Sequence, residues 1–166
     1  MADEISGGQN LVALVRVKPG AEDRAAKELS DLFAKFKVGA EVRESGIGGN
    51  LFVFSSAPKG YIAAVLARAK LAYSRTILLV DATSRADAES IIKAASRVLA
   101  DYLMKKKIGS FRVKARIRGS TIEEKEIEVV VGKALKESTG LVVDLENPDA
   151  TIYVSIVGEI AAITVA

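Results

Sequence analysis

The sequence predicts an α/β (α+β) fold arranged as two consecutive units, residues 1–82 and 83–166. Two observations carry this. Short β-rich runs alternate with amphipathic helical stripes along the whole chain, without a low-complexity tract or a solenoid repeat. Apolar residues make up 49% of the 166 residues, enough for packed cores and against disorder.

In the first unit, "LVALVRV" (Leu11 to Val17) is strand-like, and "KPG" marks a turn. Between Ala21 and Phe36 the residues Ala25, Ala26, Leu29, Leu32, Phe33 and Phe36 recur at three- and four-residue steps, predicting one helix with one buried stripe. "EVRES" and "LFVFSS" flank "GIGGN", which reads as two strands joined by a glycine-rich turn. "KGYIAAVLARAK" has helical spacing at Ile62, Val65, Leu66 and Ala69, and "RTILLVD" is an apolar run of strand length. The order strand, helix, strand, strand, helix, strand is that of a ferredoxin-like unit.

The second unit opens with Ser84 and Asp87 as a helix-capping pair, followed by the stripe Ile91, Ile92, Ala95, Val98, Leu99 and Tyr102 of the longest helix, ending near "KKK". Residues 111–117 then alternate strictly. Phe111, Val113, Ala115 and Ile117 share one strand face; Arg112, Lys114 and Arg116 share the other, and Arg118 continues it. Ser120 and Glu123 predict another helix start. Ile127, Val130, Val131, Ala134 and Leu135 form its buried side, and Thr139-Gly140 its end. "LVVDL", the turn "NPD", "TIYVSIV" and "EIAAITVA" supply the remaining strands.

Charge is distributed unevenly in a chain whose net charge is only +3. Residues 105–118 hold seven basic side chains and no acid, whereas residues 120–166 hold three positives against nine acids. Lys105, Lys106, Lys107, Arg112, Lys114, Arg116 and Arg118 therefore form either a solvated outer sheet face or a phosphate-binding surface, the latter because RNA binding proceeds largely by Lys and Arg releasing condensed counterions. Phe111 alternates onto the buried side, which argues against a base-stacking platform.

Other chemistry is poorly provided for. Histidine and cysteine are both absent, removing the commonest general acid/base, the usual partner of a nucleophilic serine, disulfides and thiolate-ligated metals. A cysteine-free chain fits a reducing, cytoplasmic setting. No cofactor is implied, because neither GxGxxG in a strand-to-helix setting nor GxxxxGK[ST] occurs. "GIGG" matches the GxxG clamp of KH domains but lies between strands rather than helices, so it reads as a hairpin turn. The acids of "EEKEIE", including Glu124 and Glu128 on one helix face, read as solvated residues complementing a helix dipole, not as metal ligands. "DLENPD" reads as a turn. The acidic start "MADEISGGQN" lacks the pattern of a signal peptide, and runs such as "TILLV" and "IAAITVA" fall far short of the roughly 20 residues needed to span a bilayer.

The second half resembles a THUMP domain, a tRNA-binding module of RNA-modifying proteins. The matching stretches are "FRVKARIRGS" (Phe111 to Ser120), "EIEVVVGKAL" (Glu126 to Leu135) and "VVDLENPDATIYVSI" (Val142 to Ile156), in the family's order and approximate spacing. The preceding ferredoxin-like pattern matches the domain that commonly accompanies it. The resemblance implies that both units hold the acceptor stem and single-stranded 3′ end of tRNA. In the 4-thiouridine synthetases, some tRNA methyltransferases and a tRNA cytidine deaminase, this module is fused to a catalytic domain. The present chain ends just after the expected last strand, so it is most similar to stand-alone THUMP adaptors of tRNA cytidine acetylation: not itself an enzyme, with a separate acetyltransferase as partner. The basic positions of the matching strand are Arg112, Lys114, Arg116 and Arg118, preceded by Lys105 to Lys107. Lys133 and Lys136 extend the patch along the next helix, and Arg75 joins from the first unit. Two other readings stay open: a ferredoxin-like regulatory module for a small metabolite, and the tRNA-binding fragment of a larger modifying enzyme.

Overall fold

The computed structural model describes residues 9–166; the acidic N-terminal stretch lies outside them. The chain forms two compact units that part between Val80 and Asp81. The fold is mixed α/β, with four helices and two sheets among the described residues.

The first unit runs β1 (Asn10–Val17), α1 (Glu22–Lys35), β2 (Ala40–Glu44), β3 (Asn50–Ser55), α2 (Lys59–Leu66) and β4 (Ser74–Leu79). Its sheet has the order β2-β3-β1-β4 with every neighbour antiparallel, which is the ferredoxin-like arrangement of a split β-α-β unit. The α1 stripe buries Ala25, Leu29, Leu32 and Phe33 against Val12, Ala13, Val15, Leu51 and Val53 of the sheet. In the turn between β2 and β3, Gly46 and Gly49 have φ of +84° and +80°. Glycine reaches that region without a Cβ penalty, which is why "GIGGN" makes a hairpin. Glu22 tethers this turn to the start of α1, accepting from the Gly49 and Gly20 amides at 2.9 and 2.8 Å. The second helix stops sooner than its periodicity predicts: α2 is capped at Ala67, so Ala69 falls in the loop that follows.

The second unit contains β5 (Ala82–Arg85), α3 (Ala88–Lys105), β6 (Ser110–Arg118), α4 (Glu124–Thr139), β7 (Val142–Val143), β8 (Ala150–Val157) and β9 (Ile160–Val165). The sheet order is β5-β9-β8-β6-β7. β6 runs parallel to β8 over Phe111 to Arg118 and parallel to β7, while β8-β9 and β9-β5 are antiparallel. The core joins Ile91, Ala95 and Leu99 of α3 with Ile127, Val131 and Leu135 of α4, and with the inward residues of β6, β8 and β9. No helix among the described residues is long and apolar enough to cross a membrane.

Two helix starts differ from the sequence reading. Ser84 lies in β5, and the N-cap of α3 is Asp87 alone, whose carboxylate accepts from the Ser90 amide at 2.8 Å and the Ser90 hydroxyl at 2.9 Å. The i to i+3 spacing that a cap needs is met by Asp87 and Ser90, whereas Ser84 is held extended by pairing with Ala161. At α4, Glu123 is the N-cap residue without a side-chain cap, and Ser120 accepts from the Ile122 amide in the preceding loop. Val130 is also corrected: it is exposed, because the buried stripe of α4 runs through Ile127, Val131, Gly132 and Leu135. Gly140 ends α4 in the left-handed conformation, φ 73°.

Candidate functional site

The cationic strand β6 divides its side chains as period-two alternation requires. Phe111, Val113, Ala115 and Ile117 are all buried in the core. On the opposite face Lys114 and Arg118 are exposed, and Arg112 and Arg116 are half-buried.

The backbone of β6 is less conventional. On one side it pairs with β8 along its length; on the other, β7 is only two residues long and the ladder ends at Phe111. Beyond that point helix α4 replaces a strand. Its Glu128 Oε2 accepts from the Ala115 amide at 3.0 Å, and its Glu124 Oε1 accepts from the Ile117 amide at 3.1 Å. These acids are not the freely solvated dipole partners that the sequence predicts. They occupy an exposed sheet edge, where unpaired N–H groups would otherwise invite another strand. Val113 has the same parity as Ala115 and Phe111, so its N–H and C=O point to this edge, yet the β7 ladder stops before reaching it.

The four cations of β6 consequently have different circumstances. The Arg112 guanidinium donates from Nε to Thr151 Oγ1 at 3.2 Å and from Nη1 to the Leu145 carbonyl at 3.1 Å, fastening the loop after β7. Arg116 Nε is buried without a hydrogen-bond partner. Arg118 Nη1 donates to the Ile117 carbonyl at 2.8 Å and lies 3.4 Å from Glu124 Oε1. Lys114 is exposed, as are Lys105, Lys106 and Lys107 at the end of α3 and in the following connection. The strand face therefore presents one open lysine, Lys114, among partly engaged arginines, with three more exposed lysines preceding the strand.

Arg112, Lys114 and Lys133 meet at one groove of about 460 Å³ between α4, the edge of β6 and the loop after β7. Glu128, read in the sequence as a solvated acid, also lines it, as do Lys125, Val129, Val143 and Leu145, which were not singled out there. The available signal was helical: Lys125, Val129 and Lys133 are spaced i, i+4, i+8 and so share a face. Lys105 to Lys107, Arg116, Arg118 and Lys136 do not line the groove; Lys136 is exposed in the last turn of α4. Arg75 is exposed on β4 of the first unit.

The acids of "DLENPD" shape the turn. Asp144 Oδ1 accepts from the Asn147 and Glu146 amides at 2.9 and 3.0 Å, and these bonds, Asn147's first, hold its carboxyl below the usual value. Asp149 Oδ2 accepts from the Gly109 and Ser110 amides and positions the start of β6. No group of three or more metal-ligating side chains occurs among the described residues.

The chain thus places a ferredoxin-like unit before an α/β unit that carries a cationic strand and a charged groove. Residues 85–166 match the THUMP domain family model, and the second unit is a THUMP domain. Over 95% of this chain, the fold resembles that of PH1313 from Pyrococcus horikoshii Ot3, with a TM-score of 0.78, 23% identity and 54% of that chain covered. TrmN from Thermus thermophilus gives a TM-score of 0.61 and 27% identity, covering 94% of this chain and 45% of its own. A 4-thiouridine synthetase solved as an RNA complex with bound ATP gives 0.68 and 19% identity, covering 95% of this chain and 41% of its own. The chain thus spans about half the length of these structures, or less. No curated protein matches the sequence.

Proposed function

We propose that this chain binds tRNA at its acceptor stem and single-stranded 3′ end and serves as a non-catalytic adaptor for a separate tRNA-modifying enzyme, in tRNA cytidine acetylation. The observation that carries RNA binding is the THUMP domain's acid-free run from Lys105 to Arg118, whose lysines are open to solvent. The 4-thiouridine synthetase of similar fold was solved with RNA bound. Lys105, Lys106, Lys107, Lys114 and Arg118 are the first phosphate contacts in this reading; Arg116, Lys133, Lys136 and Arg75 extend them. Arg112 contributes charge while its hydrogen bonds hold the strand to the neighbouring loop. Holding the 3′ end fixes the distance to the nucleotide that the partner modifies, and this role belongs in the cytoplasm.

The test of binding is tRNA affinity after charge reversal at Lys106, Lys107 and Lys114, which make no side-chain hydrogen bond whose loss would disturb the fold. Unchanged affinity and salt dependence would remove the proposed surface. For the adaptor role, adding the chain to a tRNA cytidine acetyltransferase and tRNA should raise acetylation; no increase argues for the second reading. That reading is the tRNA-binding part of a larger modifying enzyme, favoured by coverage of only 41–54% of the similar structures.

A further inference from the structure

We infer that the groove between α4 and the open edge of β6 receives an extended, acidic and aliphatic segment of a partner protein, which adds as a short strand beside Val113. Three features of the groove point to this occupant. The Val113 N–H and C=O face the edge just past the end of the β7 ladder, and Ala115 presents its C=O there. Main-chain groups in that arrangement are matched by another peptide backbone in β-addition. Next, the walls carry aliphatic side chains that leave much of their surface in water: Val129 is 58% exposed and Leu145 69% exposed. Apolar groups gathered beside an open strand edge gain by covering one another.

The charge balance supplies the third feature. Arg112, Lys114, Lys125 and Lys133 line the groove against one acid, Glu128, whose Oε2 is already engaged by the Ala115 amide. A segment with carboxylates on one face and aliphatic side chains on the other would satisfy both the cations and the walls, because successive strand residues point to opposite sides. At about 460 Å³ the groove lies within the range of roughly 300–1,000 Å³ typical of ligand sites, room for a few residues and not for a globular surface. RNA phosphate meets the same cations, but the groove offers a base little. Single-stranded bases bind by stacking on aromatic rings, and the lining contains none.

The inference is separate from the tRNA reading but shares Lys114 and Lys133 with it; in an adaptor the segment would belong to the partner enzyme and would hold these two cations in place of phosphate. The test uses the full ¹⁵N-labelled chain and a capped octapeptide alternating Glu and Val. The expected result is a saturable shift of the Val113 amide resonance, with affinity reduced at least tenfold by N-methylation of alternate peptide amides and by Lys133→Glu or Val129→Asp. A Lys-Val octapeptide should not bind. Absence of a Val113 shift overturns the inference, as does equal binding of the N-methylated peptide. If instead tRNA or a single-stranded CCA oligonucleotide displaces the peptide and shifts the same resonances more strongly, the groove belongs to RNA and the inference fails.

Discussion

Truncating Glu128 tests whether helix α4 serves as the missing neighbour of β6. Its carboxylate accepts from the Ala115 amide at 3.0 Å, and Ala115 is only 5% exposed. Hydrogen bonds to charged groups contribute about 1.5–3 kcal/mol, and the adjoining groove lets water reach part of the edge, so Glu128→Ala should lose about 2 kcal/mol. Glu128→Gln keeps a neutral acceptor and should lose about 1 kcal/mol. Urea denaturation followed by circular dichroism gives the global values, and hydrogen exchange gives the local one. The Ala115 amide should exchange faster in the alanine variant, with Ile117, capped separately by Glu124, much less affected. Wild-type stability in Glu128→Ala together with unchanged exchange at Ala115 would refute the edge-capping argument. An uncapped edge should also raise concentration-dependent self-association, measurable by size-exclusion chromatography with light scattering.

Phe111, fully buried on the inward face of β6, anchors the cationic strand; Phe111→Ala should cost about 3–5 kcal/mol by thermal or chemical denaturation and loosen RNA binding with it. Gly49→Ala should destabilise more than Gly140→Ala: both have positive φ, but a Cβ at Gly49 would lie 3.0 Å from the Val17 carbonyl oxygen, while one at Gly140 meets nothing. Equal losses by denaturation would contradict the steric part of that account. Acid stability of the first unit should depend on Glu22, whose carboxyl is held below its ordinary 4.5 by hydrogen bonds from its own amide, then Gly49 and Gly20, against partial desolvation. A lowered folded-state value means stability present above 4.5 and lost as pH falls through the lower value, so Glu22→Gln should flatten the unit's acid transition. An unaltered transition, followed by NMR of first-unit resonances, would show that the turn tether is not coupled to protonation.

Legibility in the sequence followed the range of the interactions. Strand β6 was readable because a period-two pattern and its charges coincide within nine residues. The α1 and α3 stripes were readable for the same local reason. Strand β5 was not: "ATSR" has no apolar alternation and becomes a strand through pairing with β9, about eighty residues later. The engagement of Glu124 and Glu128 was equally hidden, since acids near the start of a helix have a sufficient local explanation in the dipole. Only the closeness of α4 to the β6 edge beyond β7 turns them into strand caps. The same closeness creates the groove, which is why Lys125, Val129 and Leu145 drew no notice as isolated residues while Lys133 did. Alternation placed four cations on one face correctly but could not separate Arg112, held by Thr151 and the Leu145 carbonyl, from the exposed Lys114.

The most direct measurement is the affinity of the chain for tRNA across a salt series, paired with the same tRNA lacking its single-stranded 3′ nucleotides. The open cations predict a log-log slope that falls by about 0.7 for each contacted phosphate removed, so neutralising Lys105, Lys106 and Lys107 together should reduce it by about two. The 3′-truncated tRNA should bind more weakly than one lacking its anticodon arm. Salt-independent binding, or greater loss on removing the anticodon arm, would contradict the account.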